Sequence, residues 1–264
     1  MFGAERLAKI REILLEYKHV DVTTLSSILS VSEATIRRDL EKLEEEGFLK
    51  KTHGGAVISE EQTQEVQLSS TDDPFLEEKR RIGMIAAEMI NNNDTVFLGS
   101  GTTCLQIAKN IKDRREITVV TNNVNIVVEL ANCPNINLLL AGGNTEHSGS
   151  SLSLVGQFTK RMLEGLFVSK AFFTVNGISL KFGYTVSSAE QAEIYNILMK
   201  NADEVIIVAD YTKFDKRSFT PLATIDDYKK IITNAQVSLE YKKYFFDNNI
   251  QLFTAFEPEK GVAL

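Results

Sequence analysis

Seven short β-rich runs punctuate the chain from residue 95 onward: TVFL (95–98), ITVV (117–120), INLLL (136–140), AFFTV (171–175), EVIIVA (204–209), KIIT (230–233) and IQLF (250–253). Helical patterns near 76–90, 103–111, 124–131, 154–164, 190–202 and 238–248 fall between and beside them. Strands that return parallel to their neighbours need crossovers, usually helices, so this alternation predicts a mainly parallel sheet covered by helices. A chain of 264 residues that is 43% hydrophobic can bury such a core. No apolar run approaches the roughly 20 residues needed to span a bilayer. Charges threaded through MFGAERLAKIREILLEYK break the continuous apolar core a signal peptide requires, so the expected address is cytoplasmic.

In a parallel sheet, ligands collect outside the carboxyl ends of the strands. Five of the runs end in polar or glycine-rich text: GSGTT (99–103), TNN (121–123), AGGN (141–144), NGIS (176–179) and DYTKF (210–214). In the first, the backbone of Gly101 and the hydroxyls of Ser100, Thr102 and Thr103 are placed to surround an oxyanion at a helix N-terminus. Lys213 adds a positive charge, and Asn122, Asn123 and Asp210 have the donors and acceptors that sugar hydroxyls need. Two readings compete: Asn122 as a helix N-cap, and Asp210 with Lys213 as a surface ion pair worth ~0–1 kcal/mol. Cys104 and Cys133 are too few for a disulfide framework and lack metal-ligand spacing with His19, His53 or His147, so both are expected to pack as small hydrophobes, with no metal and no cofactor. The text TEHSGSSLS, with His147, is expected to connect two elements rather than to cover the pocket.

The first 57 residues read differently. Three helical stripes follow one another, through Leu7, Ile10 and Leu14, then Leu25, Ile28 and Leu29 after Thr23 or Thr24, then Ile36, Leu40 and Leu43 after Ser32. Only SVS separates the second from the third, which predicts a helix-turn-helix. With Ile36 at the centre of the buried face, Thr35, Arg38 and Lys42 point outward and Arg37 lies on the flank. Ser32, Glu33 and Thr35 then stand at the helix end that meets base edges, and arginine suits both guanine and phosphate. Beyond Gly47, FLKKTHGGAVI predicts a hairpin carrying Lys50, Lys51, Thr52 and His53, a wing against the flanking backbone. The formal charge of the whole chain is −7, which says little about a local patch. Residues 58–75, polar and acidic without period, read as a linker, leaving a larger domain at 76–264.

Arg6, Leu14, Ser32, Thr35, Ile36, Arg37, Arg38, Asp39 and Leu40 resemble, at matching spacing, the N-terminal signature of the DeoR family of bacterial transcription regulators. The strand-end segments GTT, TN, GG, NGI and the DYTKF text occur in that family in the same order, so the resemblance spans nearly the whole chain. It implies an N-terminal winged helix-turn-helix that binds double-stranded operator DNA, usually as a repressor of sugar-utilisation genes. It also implies an α/β effector domain resembling ribose-5-phosphate isomerase that senses a phosphorylated sugar, with Ser100, Gly101, Thr102, Thr103, Asn122, Gly142, Gly143, Asp210 and Lys213 as its ligand contacts. Two positions depart from the pattern: Gly99 stands where many members have Asp, and Tyr195 where many have Lys. FLGSGTT, GYTVSSAEQAE and TKFDKRSF look closer to the lactose phosphotransferase-system repressors, which implies tagatose 6-phosphate or a similar effector. A repressor acting on two half-sites implies a homodimer or homotetramer. The alternatives are a transcription activator, or a sugar-phosphate isomerase-like enzyme for which Asp210 is the one acidic strand-end candidate. Asp39, beside the buried stripe, is expected to pair structurally rather than to touch DNA.

Overall fold

The computed structural model describes residues 6–7, 9–11, 13–14, 19–45, 48–52, 54–58 and 73–255. It divides into two compact units, Met1–Gln67 and Leu68–Leu264. Gly47, His53 and most of the segment expected as a linker lie outside the described residues.

In the first unit a strand β1 (His19–Asp21) leads directly into helix α1 (Val22–Leu29). The helix begins earlier than Thr23 or Thr24 because Asp21 caps it, its carboxylate accepting the Thr24 amide at 2.7 Å. Those hydrogen bonds hold the Asp21 carboxyl below its usual range. Ser30 ends the helix in the left-handed region, and Ser32 opens α2 (Glu33–Glu45) by accepting the Thr35 amide at 3.3 Å. Leu25, Leu29, Ile36, Leu40 and Leu43 bury the facing stripes against Ile10 and Leu14. Strands β2 (Leu49–Lys51) and β3 (Gly55–Ile58) form the wing hairpin, and β1 pairs antiparallel with the other edge of β3. That approach requires glycine at 55, where a Cβ would come within 2.3 Å of the Val20 carbonyl oxygen.

The second unit opens on α3 (Leu76–Glu88) and builds a sheet from β4 (Thr95–Leu98), β5 (Ile117–Thr121), β6 (Ile136–Leu140), β9 (Val168–Phe173), β12 (Ala202–Val208), β14 (Lys230–Thr233) and β15 (Gln251–Thr254). The strands run in the order β15-β14-β12-β9-β4-β5-β6, and every pairing among them is parallel. Alternate residues of β9 serve opposite faces. Phe172 packs with Val96, Leu98 and Val208 under α3 and α4 (Thr102–Asn110), whereas Ala171 and Phe173 pack with Phe97 and Ile207 under α7 (Ala189–Lys200). The remaining helices are α5 (Val124–Leu130), α6 (Gln157–Glu164) and α8 (Leu239–Asp247).

Two features depart from a simple alternation. The helix expected from 154 begins at Gln157, because Ser151–Val155 is a strand, β8, paired antiparallel with β7 (Asn144–Ser148). The TEHSGSSLS text is therefore a hairpin whose tip, Ser148–Ser150, reaches the cavity described below, not a bare connector. A second small sheet joins β10 (Gly177–Ser179), β11 (Gly183–Val186) and β13 (Thr220–Ala223) in antiparallel order beside the main sheet.

Candidate functional site

The outward face of α2 carries Ser32, Glu33, Arg37, Arg38 and Lys42, all exposed, while Thr35 is half-buried with its hydroxyl 2.9 Å from that of Ser32. Arg37 pairs with Glu33 one turn earlier at 3.3 Å, both ends well exposed, a contact of little energetic gain. Arg38 and Lys42 have no ion-pair partner among the described residues. On the wing, Lys50 and Thr52 are exposed. Lys51 is held back against α2 by Glu41 at 3.2 Å and Glu44 at 3.7 Å, so its charge is partly spent within the unit. Asp39 is buried and receives Arg6 Nε at 2.5 Å and Nη2 at 3.2 Å, the structural pairing expected of it. That fork ties the first helical segment to the back of α2 and leaves the front free.

In the second unit a cavity of about 420 Å³ opens where β4, β9 and β12 end. Ser100, Gly101, Thr102 and Thr103 line it at the N-terminus of α4, and Lys213 faces it from the turn after β12. Gly101 has φ +115°, and a Cβ there would meet Thr174 Oγ1 at 2.7 Å; the Thr174 hydroxyl instead donates to the Ser100 carbonyl at 2.5 Å. The backbone is thus held open toward the cavity.

The other strand-end residues stand behind this wall. Asn122 is fully buried, accepting from Ser100 Oγ at 3.1 Å and donating to the Leu154 carbonyl at 3.0 Å, so it supports the loop rather than lining the cavity. Asn123, not Asn122, is the N-cap of α5: its side chain accepts the Ile126 amide at 3.3 Å and donates to Ser151 at 2.9 Å. Gly142 and Gly143 also lie off the cavity; a Cβ on Gly143 would strike Thr159 Oγ1 and the Val155 carbonyl, so this glycine serves close packing of the hairpin. Asp210 is buried behind the turn that presents Lys213, accepting the Thr212 amide at 3.0 Å and the Thr212 hydroxyl. It makes no ion pair with Lys213.

Three lining residues carry chemistry that sequence patterns did not single out. Lys79, on the first turn of α3, pairs with Asp73 at 2.5 Å, both side chains about nine-tenths buried. Burial alone would raise the Asp73 carboxyl; the hydrogen bonds from Lys79 and the Phe75 amide, with the charges of Lys79 and Lys213, outweigh it and hold the group below its usual range. Gln191 is 7% exposed on the cavity wall, and its Nε2 closes no hydrogen bond among the described residues. That nitrogen is itself buried and lies toward the Tyr195 hydroxyl rather than open to the cavity.

Tyr195 also lines the cavity, fully buried, its hydroxyl donating to the Ser100 carbonyl at 3.2 Å and its ring edge-on to Phe173 at 4.7 Å. Burial pushes its pKa far up, so it stays a neutral hydroxyl. A Cβ on Gly99 would lie 2.8 Å from that hydroxyl, which gives the two departures from the family pattern one steric cause: the phenol fills the space a side chain at 99 would take. Gly99→Ala is expected to destabilise by about 1–3 kcal/mol through overpacking. The cost should shrink in a Tyr195→Phe background, with a coupling of at least about 0.5 kcal/mol in a denaturation double-mutant cycle. Additive costs would mean the two positions do not share that space.

Comparison with known proteins agrees with this architecture. The family described as DeoR C terminal sensor domain matches residues 75–235, and the DeoR-like helix-turn-helix domain matches residues 6–62. The chain is 34% identical to the uncharacterized HTH-type transcriptional regulator YulB of Bacillus subtilis (strain 168) over 252 residues, 96% of each chain. It is 32% identical to the lactose phosphotransferase system repressor of Lactococcus lactis subsp. lactis over 243 residues, 91% of this chain and 94% of that one. Among solved structures, ribose 5-phosphate isomerase from Plasmodium falciparum aligns over 53% of each chain with a TM-score of 0.37 at 12% identity. Among the described residues no helix is long and apolar enough to cross a membrane. A helix-turn-helix unit with a basic outward face, a separate α/β sensor unit and these matches along both together place the chain in the DeoR family of DNA-binding transcription regulators, as a regulator and not an enzyme.

Proposed function

We propose that this regulator represses sugar-utilisation genes and is released from operator DNA by a phosphorylated sugar bound in the cavity of its effector domain. The observation that carries the effector reading is the wall of that cavity. An open helix N-terminus at Ser100–Thr103 and two lysines face one space, a donor set suited to a phosphate joined to a polyol. The repressor named for lactose among the relatives supports a sugar-linked role, and tagatose 6-phosphate heads the candidates. The outward face of α2, with Arg37, Arg38 and Lys42, is assigned to the major groove, and Lys50 and Thr52 of the wing to the flanking backbone. The domain limits 1–57, 58–75 and 76–264, a cytoplasmic location and a homodimer or homotetramer belong to the same reading.

The mechanism is a population shift. A ligand that binds one arrangement of the protein better than another depletes the arrangement that spaces two recognition helices for two half-sites. The test is a thermal-shift screen of the full chain against sugar phosphates and their unphosphorylated parents. Ligand at 100 times Kd stabilises by about 2.7 kcal/mol, on the order of 5–10 °C for the domain that binds it. A shift with one sugar phosphate and none with its parent sugar is the expected result; a flat series across all phosphorylated compounds would remove the phosphate pocket while leaving the DNA-binding function in place.

A further inference from the structure

Asp73 is the first described residue after the segment that joins the two units, and it does not face solvent. Its carboxylate turns into the effector cavity. Oδ2 takes Lys79 Nζ at 2.5 Å, Oδ1 takes the Phe75 amide at 3.0 Å, and Lys213, on the same cavity wall, adds attraction. Phe75 in turn sets its ring edge-on to Tyr211, in the turn that carries Lys213. The protein has therefore placed an anion of its own among the cations of a cavity suited to anions.

Charge counting shows why this matters. Lys79 and Lys213 together carry two positive charges, and Asp73 balances one. A phosphate monoester carries about −1.5 to −2 at neutral pH, enough to balance both lysines alone. With phosphate and Asp73 present together, the site holds a surplus negative charge, and Glu146 on the opposite hairpin adds to the surplus. The arrangement that neutralises the lysines has one anion group or the other, not both.

We propose that Asp73 is a built-in competitor of the effector phosphate, occupying Lys79 in the empty protein and leaving it when phosphate binds. This rests on the phosphate reading above and adds its regulation: what displaces Asp73 acts on the residue through which the chain passes toward the DNA-binding unit. Binding in the cavity thereby gains a covalent route to residues 58–72 without any second site. Asp73 is on this account a positioning residue whose effect on affinity has the opposite sign to that of an ordinary binding residue.

Isothermal titration of inorganic phosphate into the full chain, in a phosphate-free buffer, distinguishes the two. Removal of a competitor that holds the competent state to about one-tenth tightens apparent binding about tenfold, so Asp73→Asn is expected to bind phosphate about tenfold more tightly than the unaltered protein. The gain should vanish in a Lys79→Met background, because the contested cation is gone. Binding by Asp73→Asn that equals or falls below that of the unaltered protein overturns the competition and leaves the phosphate pocket standing. Binding in neither protein removes the phosphate pocket and the competition together. Should Asp73→Asn fold poorly without ligand, its melting temperature gives the second reading: phosphate returns it to the range of the unaltered protein if the anions are interchangeable, and failure to do so overturns the proposal.

Discussion

Replacing Tyr195 with alanine is expected to cost the effector unit about 3–5 kcal/mol, the range for removing a large buried aromatic. The ring is 1% exposed, sits edge-on to both Phe97 and Phe173, and joins the α7 side of the core to the end of β4. Its hydroxyl is a smaller matter. The Ser100 carbonyl it touches also receives Thr174 Oγ1, so Tyr195→Phe leaves no orphaned acceptor and should cost about 1 kcal/mol or less. Scanning calorimetry of the full chain separates the cases, since 3–5 kcal/mol corresponds to a fall of roughly 6–20 °C for a unit of this size. A fall of only a degree or two for the alanine variant would show that the ring is not packed as described. Because the same side chain lines the cavity, the alanine variant should also lose sugar-phosphate response, whereas the phenylalanine variant keeps it.

The second large effect is on DNA. Converting Arg37 and Arg38 together to alanine is expected to weaken operator binding by about 2–6 kcal/mol, if each contributes the 1–3 kcal/mol typical of a base-reading arginine. Fluorescence anisotropy on a duplex selected from a random pool by the unaltered protein would read this as a loss of at least thirtyfold. Most of the effect should reside in Arg38, which has no competing carboxylate, whereas Arg37 must leave Glu33 to reach DNA. Lys50→Ala should act otherwise, lowering the slope of log affinity against log salt by about one unit without changing sequence preference. Lys51→Ala should do less still, since Glu41 and Glu44 already hold that ammonium. Unchanged binding by the double alanine variant would mean that α2 does not enter the groove by this face.

The parallel sheet was legible from sequence because strands covered on both faces are mainly apolar, and each of the seven runs is apolar at half or more of its positions. The recognition helix was legible for the complementary reason: a single stripe of Ile36, Leu40 and Leu43 fixes which residues face outward. The β7–β8 hairpin was not. Asn144–Ser148 has no apolar member, and in Ser151–Val155 the serines at 151 and 153 are buried with Val155, hydrogen-bonded or bridged toward Asn123, while Leu152 and Leu154 are only half-buried. Polarity there reports side-chain hydrogen bonding rather than exposure.

The cavity followed the same division. Strand-end glycines and hydroxyls at 100–103 mark themselves by type, and so does Lys213. Asn122, Asn123 and Asp210 have the same look, yet each is turned to backbone amides or carbonyls behind the wall. Asp73 and Lys79 escaped notice because their six-residue separation has no meaning on a helix; they meet only because the chain turns at Pro74 before α3 begins. Gln191 lies among the buried positions of α7, where polar side chains that line a cavity cannot be told from those that face the core, and Tyr195 stood out only as a departure from the family pattern.

The position of β9 has a further consequence during synthesis. It lies between β4 and β12, so the strand made first and the strand made fifth are separated by the one made fourth. A nascent chain that has emerged only as far as residue 167 can pair β4, β5 and β6, but β4 then presents Val96, Phe97 and Leu98 on an open edge with no partner. The DNA-binding unit, by contrast, closes its three-stranded sheet within its first 58 residues. The ribosome thus releases a finished reader of DNA well before the sensor that governs it can close, and pausing between residues 140 and 168 would lengthen the interval in which that bare edge is open to other chains.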